Sequence, residues 1–394
     1  MPAKSRAPYR PFQYLEPGAD YREFALAKEL DRVPSKRYPL DSEQTKRLDA
    51  ILATAPLVSS HDHCVVMPDD ITEIHDYARE RRTWMGYAGL AAAGVDVVLE
   101  AFLDGMGGWR WDDVLFDLGM RYSDIAHQDF AYRAETITDL ERAEGSGKCA
   151  VVSSLECATM IEDDVDRVDV LYGFGVRVIG ITYSESNGLG SGLREERDGG
   201  LTDLGRAAVV RMNKIGMTID VSHCGDQTSL DTITASERPI LITHAGARGL
   251  WNTKRMKPDE VLRACAAKGG VIGIEAAPHT TLTQKHPLHS IESVMEHVAY
   301  CVELMGVDHV GLGPDTLFGD HVGLHQAFAA ALSISRIQQG VKYTPVPYVD
   351  GMESPAEAMP NAARWLVAHG YKDVDIAKIL GWNVLRVLKE SWAR

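Results

Sequence analysis

Six residues of metal-binding types, four histidines and two acidic residues, lie within or at the end of short apolar runs. They are His61, His63, Glu156, His223, His244 and Asp315. Imidazole nitrogens and carboxylate oxygens are ligands that Zn²⁺ and similar divalent ions accept. Six ligands are too many for one four-coordinate ion that keeps a position open for water. The set therefore predicts two divalent metal ions that share a bridging carboxylate, zinc first, with manganese, cobalt or iron as alternatives.

Two divalent ions held close together favour the attack of water on a carbonyl carbon. Water that bridges two cations loses a proton near neutral pH, and the same cations polarise the carbonyl oxygen. A nearby carboxylate can accept that proton and later return it to the leaving group. These residues therefore predict hydrolysis of an amide or an ester.

The elements that must position these residues are the strands of a barrel. Eight short runs rich in β-branched residues alternate with longer stretches of helical period, which is typical of β/α units around a parallel sheet. Eight strands close a TIM barrel. We therefore predict an α/β fold, a (β/α)8 TIM barrel of the metal-dependent hydrolase type. The runs are LVSSHDH (57–63), VDVVLEAF (95–102), AVVSSLE (150–156), RVIGITY (177–183), MTIDVSH (217–223), PILITHA (239–245), GVIGIEAA (270–277) and HVGLGPD (309–315).

The six candidate ligands lie at the C-terminal ends of these runs, the face of a TIM barrel that carries active sites. In the triplet His61-Asp62-His63 the two-residue period of a strand directs both imidazoles toward the barrel axis and Asp62 away from it. Two nitrogens from one strand can then chelate one ion.

The rest of the chain divides into an extension, helices and two long insertions. Residues 1–45 are predicted to form an irregular N-terminal extension packed on or near the barrel, with a short helix around Tyr21–Leu30, and 46–394 to form one barrel domain. Apolar residues at three- and four-residue spacing predict the helices between strands. The clearest helices span 201–216, 258–269 and 290–306.

The two insertions follow the second and the eighth run. The first, 103–149, contains Trp109, Trp111 and Phe116, and the second spans 317–360. Long connections at the C-terminal face of a barrel usually cover the pocket. We therefore expect both insertions to shape access to the metal site.

Composition excludes several classes of protein. The formal net charge of −15 disfavours nucleic-acid binding, because such a surface repels phosphate. No stretch approaches the roughly 20 apolar residues of a membrane span, and the N-terminus has no apolar signal segment, so we predict a cytoplasmic protein without a membrane partner. The six cysteines form no CxxC pair. Cys64, Cys157 and Cys224 each follow a proposed ligand and are predicted to be small buried side chains.

From about Leu57 to the C-terminus the sequence resembles the membrane (renal) dipeptidase family, peptidase family M19 of the amidohydrolase superfamily. The stretches that carry the resemblance are SSLEC, IDVSHC, PILITHAGARGL, VGLGPD and ILGWNVLRVL. The resemblance implies a binuclear-zinc dipeptidase that acts on a small molecule. The possibility of a homodimer or higher homo-oligomer stays open.

The resemblance also implies a role for each site residue. His61, His63 and Glu156 would hold one zinc, while Glu156 would bridge to a second zinc held by His223 and His244. Asp315, beside the metals, would be the general base that later protonates the leaving amine. Arg255 in TKRMKPDE would bind the substrate carboxylate.

Two positions depart from the family pattern. His63 stands where members usually have an aspartate, and Tyr183 stands where the dipeptidases have a histidine thought to stabilise the tetrahedral intermediate. A phenol can donate a hydrogen bond to an oxyanion, so Tyr183 is a candidate for both catalysis and substrate binding. These departures keep an N-acyl amino acid, a lactone, a carbamate or a decarboxylation as alternatives to a dipeptide. A barrel that binds a ligand without turnover is the third alternative.

Overall fold

Ten strands are present in the computed structural model, which describes residues 9–102, 110–329, 332 and 341–393. They are β1 (Val58–Val66), β2 (Val97–Phe102), β3 (Ala131–Arg133), β4 (Cys149–Leu155), β5 (Val176–Gly180), β6 (Thr218–Asp220), β7 (Leu241–Ala245), β8 (Val271–Ile274), β9 (Val310–Leu312) and β10 (Leu317–Phe318). Eight of them, β1, β2 and β4 to β9, lie side by side in parallel, and the pairing of Ser59 with Leu312 closes the barrel. The predicted (β/α)8 TIM barrel and all eight of its runs are confirmed.

The barrel strands read as apolar runs because both of their faces are covered. Every residue of β1, β2 and β4 is buried, between side chains of the barrel interior on one face and helices on the other. Polar residues in such strands must therefore have partners or a function.

Helices connect the strands and surround the barrel, as a β/α sequence requires. The three helices predicted most clearly are observed within two residues of the predicted ends. The helices are Ser42–Leu52, Ile74–Arg79, Tyr87–Ala93, Trp111–Ala126, Ile137–Ala143, Asp166–Gly173, Asp203–Ile215, Asp226–Ala235, Asp259–Ala267, Ile291–Met305, His321–Ala327, Pro355–Ala368, Asp373–Ala377 and Asn383–Trp392.

The C-terminal helix closes the end of the barrel opposite the predicted site. Val384, Leu388 and Trp392 on this helix pack in one buried cluster with Val58 and Val271, which begin or nearly begin their strands. This packing accounts for the apolar spacing of ILGWNVLRVL. It also leaves the C-terminal ends of the strands as the open face.

The N-terminal arm contains no helix within residues 9–41, so the helix predicted around Tyr21–Leu30 is wrong. The rings of Tyr21 and Phe24 pack against Trp84, and the backbone N–H of Ala27 donates to Met67 O over 2.9 Å. These tertiary contacts outweigh a weak local helical propensity. The first helix begins at Ser42, where the side chain of Asp41 caps it.

The proposed boundary at residue 45 lies within the helix Ser42–Leu52, and the division into extension and barrel stays a prediction. The first insertion forms the helix Trp111–Ala126 and strand β3, while residues 103–109, with Trp109, lie outside the described part. The second insertion contains β10, the helix His321–Ala327 and the beginning of the helix Pro355–Ala368. Among the described residues, no helix combines the length and the apolar character that crossing a bilayer requires.

Candidate metal centre

The six predicted ligands meet at the C-terminal ends of the barrel strands. Two lie in β1, one in β7, and the others follow β4, β6 and β9 by one to three residues. Their exposed fractions are between 0% and 9%. They are His61, His63, Glu156, His223, His244 and Asp315. Side chains separated by up to about 250 residues in the chain therefore face one another where solvent has little access.

Glu156 lies at the centre of this cluster. Its Oε1 is 3.6 Å from Nε2 of His63, while its Oε2 is 3.3 Å from Nε2 of His223 and 3.7 Å from Nε2 of His244. The two oxygens of one carboxylate thus face two separate groups of imidazoles. This is the arrangement expected of a carboxylate that bridges two ions.

The donor atoms are close enough together to hold metal. Three groups have donor atoms within 4.8 Å of one another: His61, His63 and Glu156; His61, His244 and Asp315; and Glu156, His223 and His244. Nε2 of His61 is 3.4 Å from Nε2 of His63, and the corresponding distance between His223 and His244 is 3.0 Å. Ligands of a tetrahedral zinc ion with bonds of about 2.0–2.1 Å lie about 3.3 Å apart. The residues present therefore fit the ions that the sequence predicts.

Neighbouring side chains determine which ring nitrogen of His244 carries the hydrogen and which one offers a lone pair to a metal ion. Thr243 Oγ1 lies 2.8 Å from Asp220 Oδ2 and 2.9 Å from Nδ1 of His244. Because the threonine hydroxyl donates its one hydrogen to the carboxylate, we infer that Nδ1–H of His244 donates to the threonine oxygen. The lone pair of Nε2 is then directed into the cluster.

Asp62, whose side chain is predicted to point away from the barrel axis, holds the residue that follows Asp315. The backbone N–H and the hydroxyl of Thr316 both donate to Asp62 Oδ1 over 3.1 Å. Asp315 itself adopts a left-handed backbone with φ of 55° and donates its N–H to His61 O over 3.1 Å. This conformation is uncommon outside glycine and occurs at functional sites. It directs the carboxylate toward Nε2 of His63, 3.0 Å from Oδ1.

Burial determines the charge of these groups before metal binds. Burial, together with the nearby Arg255, lowers the pKa of His223 to about 4. Burial and the neighbouring imidazole of His61 hold the pKa of His244 well below its usual range. Burial alone would raise the pKa of Asp315, but the imidazoles of His244, His61 and His63 hold it well below its usual range. The neutral imidazoles of His223 and His244 and the ionised carboxylate of Asp315 are the forms that bind cations. For His61, burial lowers the pKa, but the carboxylates of Asp315 and Glu156 outweigh burial and raise it.

The two predicted substrate-binding residues both reach the cavity above this cluster. Tyr183 is half-buried, and its ring stacks on the imidazole of His223 at a centroid distance of 4.2 Å. Arg255 donates to His244 O over 2.8 Å and to Ser222 O over 3.2 Å. Both side chains line the cavity together with Glu156 and Asp315.

Three further residues near the cavity were not predicted from the sequence. Glu275, directly after β8, is fully buried and forms an ion pair with Arg255. Its position resembles that of Glu156 after β4, so a strand-end acid was a usable signal. His321 and His325 line the cavity from the helix of the second insertion, with ring centroids 4.6 Å apart. Their four-residue spacing places them on one helix face.

The prediction for the cysteines is confirmed. Cys64, Cys157 and Cys224 are 0% or 1% exposed, and all six cysteines are free and buried. Burial raises the pKa of Cys157 to about 12, so this thiol stays protonated beside the candidate ligand Glu156. These cysteines fill space between strands and helices.

A parallel eight-stranded barrel with imidazoles and carboxylates converging at its C-terminal face is the arrangement that TIM-barrel metal-dependent hydrolases have. The sequence profile described as "Membrane dipeptidase (Peptidase family M19)" matches residues 46–328. The chain belongs to this family, as its motifs predicted.

Individual relatives agree with this assignment. The chain is 28% identical over 281 residues to "Dipeptidase tcpJ" of Claviceps purpurea, a match that covers 71% of this chain and 58% of that protein. It is 26% identical over 264 residues to "Dipeptidase aclJ" of Aspergillus oryzae, covering 66% of this chain and 56% of that one. The chain thus spans somewhat more than half of the length of these dipeptidases.

Solved structures show the same fold. An amidohydrolase from Pseudomonas aeruginosa superposes with a TM-score of 0.73 at 23% identity, covering 88% of this chain and 99% of that one. A metallo peptidase from Rhodobacter sphaeroides, liganded with a phosphinate mimic of the dipeptide L-Ala-D-Ala, superposes with a TM-score of 0.65 at 18% identity, covering 86% and 100%.

Proposed function

We propose that this protein is a binuclear-zinc hydrolase that cleaves the amide bond of a dipeptide or a similar small amide with a free carboxylate. The observation that carries the proposal is the position of Glu156, whose two oxygens face separate imidazole groups within 3.3–3.7 Å. Membership of the dipeptidase family and the dipeptide mimic bound to the Rhodobacter structure support the substrate class.

In this proposal five of the six candidate ligands divide between the two ions as the family pattern implies, and Asp315 lies beside them. His61, His63 and Glu156 would hold one ion, and Glu156, His223 and His244 would hold the other. When bound, the ions supply Lewis acidity for the carbonyl oxygen and lower the pKa of a coordinated water.

The remaining steps belong to side chains of this chain. Asp315 accepts a proton from the attacking water and delivers it to the leaving amine. The hydroxyl of Tyr183 donates to the oxyanion that forms from the substrate carbonyl. Arg255 receives the substrate carboxylate at the wall of the cavity. Each of these three side chains lines the same cavity.

The proposed role of Asp315 is tested with the substitution Asp315→Asn. We expect the variant to bind two ions per chain and to lose at least about 100-fold in kcat, because the amide cannot carry the proton. The measurements are metal content by mass spectrometry and kcat on a panel of dipeptides, N-acyl amino acids and lactones with zinc- or manganese-loaded protein.

The matched control is Asp308→Asn, an exposed aspartate seven residues earlier that pairs with Lys378. Its kcat should equal that of the wild type. Turnover by Asp315→Asn close to that of the control would remove Asp315 from the mechanism. Much less than one ion per wild-type chain would contradict the metal centre itself.

A further inference from the structure

Arg255, the proposed receptor of the substrate carboxylate, already has a carboxylate partner in the protein. Its Nη2 donates to Oε2 of Glu275, whose exposed fraction is 0%. The exposed fraction of Arg255 is 4%, and the side chain lines the cavity, whereas Glu275 lies behind it. The buried pair therefore lies between the cavity and the end of β8.

The pair changes how the cavity attracts an anion. Among the described residues that line the cavity, Arg255 is the one lysine or arginine. Burial raises the pKa of Glu275 to about 7 although Arg255 opposes the shift, so at pH 8 this carboxylate is ionised. At that pH its charge cancels the charge of Arg255, and at low exposure this cancellation is weakly screened by water. A substrate carboxylate at Arg255 would also lie close to the carboxylate of Glu275, and like charges repel.

The guanidinium nevertheless keeps capacity to bind. Of its five N–H donors, described groups use three, through the carbonyls of Ser222 and His244 and the carboxylate of Glu275. Two donors remain for a ligand. Arg255 can therefore still donate hydrogen bonds to a substrate, but without a net positive charge behind them.

We propose that Glu275 is a specificity-determining positioning residue that neutralises Arg255, so that the enzyme accepts amides with a neutral end nearly as well as those with a free carboxylate. This inference rests on the proposed function, in which Arg255 contacts the end of the substrate. It deepens that function by extending the substrate class to neutral amides, such as a dipeptide carboxamide.

Binding to the wild-type protein tests the inference without turnover. The probes are a phosphinate dipeptide mimic with a free carboxylate and the same mimic with a carboxamide, titrated into metal-loaded protein at pH 8 by calorimetry. If Arg255 is neutralised, the Kd values of the two mimics should differ by less than about tenfold. A tenfold difference is what one charge-assisted hydrogen bond to the free carboxylate would add. A preference for the carboxylate above tenfold would overturn the inference.

The substitution Glu275→Gln tests the residue directly. We expect the carboxylate mimic to bind at least about tenfold more tightly, while the Kd of the carboxamide mimic stays within about twofold. If Glu275 had only a structural role, the variant would bind both mimics more weakly. That result, or an unchanged Kd for both mimics, contradicts the proposal. If circular dichroism shows that the variant does not fold, the wild-type ratio alone decides.

Glu353→Gln is the matched control, because Glu353 is another buried acid paired with an arginine, Arg32, and it does not line this cavity. Its two Kd values should equal those of the wild type. Failure of the proposed function has a different signature. A protein that binds both mimics but hydrolyses neither parent amide would contradict hydrolysis and leave the Kd ratio as the test of Glu275.

Discussion

At the scale of single residues, Tyr183 is the side chain that the proposed function uses to donate a hydrogen bond to the oxyanion. Its ring stacks on the imidazole of His223 with an angle of 18° between the two ring planes, and its side chain lines the cavity. Burial holds the pKa of Tyr183 well above its usual range, so the phenol stays protonated and can donate. A protonated phenol and a histidine N–H can serve an oxyanion in the same way.

We expect Tyr183→Phe to lower kcat about 100-fold with little change in KM or in metal content, because the ring still packs while the donor is lost. Steady-state kinetics on the best substrate of the panel provides the measurement. Tyr132→Phe, which removes a distant hydroxyl that donates to Asp139 O over 2.7 Å, is the control. Equal kcat in both variants would mean that Tyr183 only packs against His223.

At the scale of elements, ion pairs and hydrogen bonds hold the N-terminal arm on the barrel. Arg32 pairs with Glu353 and Lys36 with Asp350, while the backbone N–H of Tyr38 donates to Asn361 Oδ1 over 2.9 Å. The partners precede or belong to the helix Pro355–Ala368, which begins within the second insertion. The arm and this insertion thus stabilise each other beside the open face of the barrel.

Glu353 should make the stability of this contact depend on pH. Burial raises the pKa of Glu353 to about 7, against an ordinary value of 4.5, although Arg32 opposes the shift. An acid whose pKa is higher in the folded state destabilises that state above the folded pKa, and the penalty disappears as the pH falls toward the unfolded pKa. Its contribution therefore changes between about pH 7 and 4.5.

We expect Glu353→Gln to be more destabilising at pH 5 than at pH 8, with a difference on the order of 1–3 kcal/mol in the free energy of unfolding. Urea unfolding of wild type and variant at the two pH values measures this difference. Glu43→Gln, at an exposed glutamate, should show no such change. A pH-independent effect of Glu353→Gln would show that Glu353 titrates as it does in the unfolded chain.

At the scale of the whole molecule, the candidate metal centre joins parts of the barrel that meet only when the barrel closes. His61 in β1 and Asp315 after β9 belong to the first and last barrel strands, and their Nε2 and Oδ1 atoms are 3.5 Å apart. Ions held by this cluster bind the closed barrel and not the unfolded chain. Their binding free energy therefore adds to the stability of the fold.

Removal of metal with a chelator should lower the melting temperature by about 5 °C or more, since ligand at 1,000 times its Kd contributes about 4 kcal/mol. Differential scanning calorimetry before and after chelation, and after zinc is restored, provides the measurement. Glu156→Gln, which removes the bridging charge, should respond much less to the chelator. A melting temperature that is equal with and without metal would argue against ions held at the barrel closure.

The sequence by itself determined the barrel and the clustering of the six candidate ligands at one of its faces. Two-residue spacing makes His61 and His63 point the same way in any strand, and acidic or imidazole groups at the ends of apolar runs share one face of any parallel barrel. These are local properties of the chain, so no knowledge of distant contacts was needed. The eight runs and the buried cysteines followed from the same local patterns.

Only the tertiary structure decided which buried groups become partners. The pairing of Arg255 with Glu275, and the entry of His321 and His325 into the cavity, depend on how the insertion and the strand ends pack. The arm around Tyr21 has no helix because the ring of Tyr21 packs against Trp84, which is 63 positions further along the chain. Such contacts join segments that are far apart in sequence. Local periodicity therefore cannot predict them, and they form only when the barrel closes.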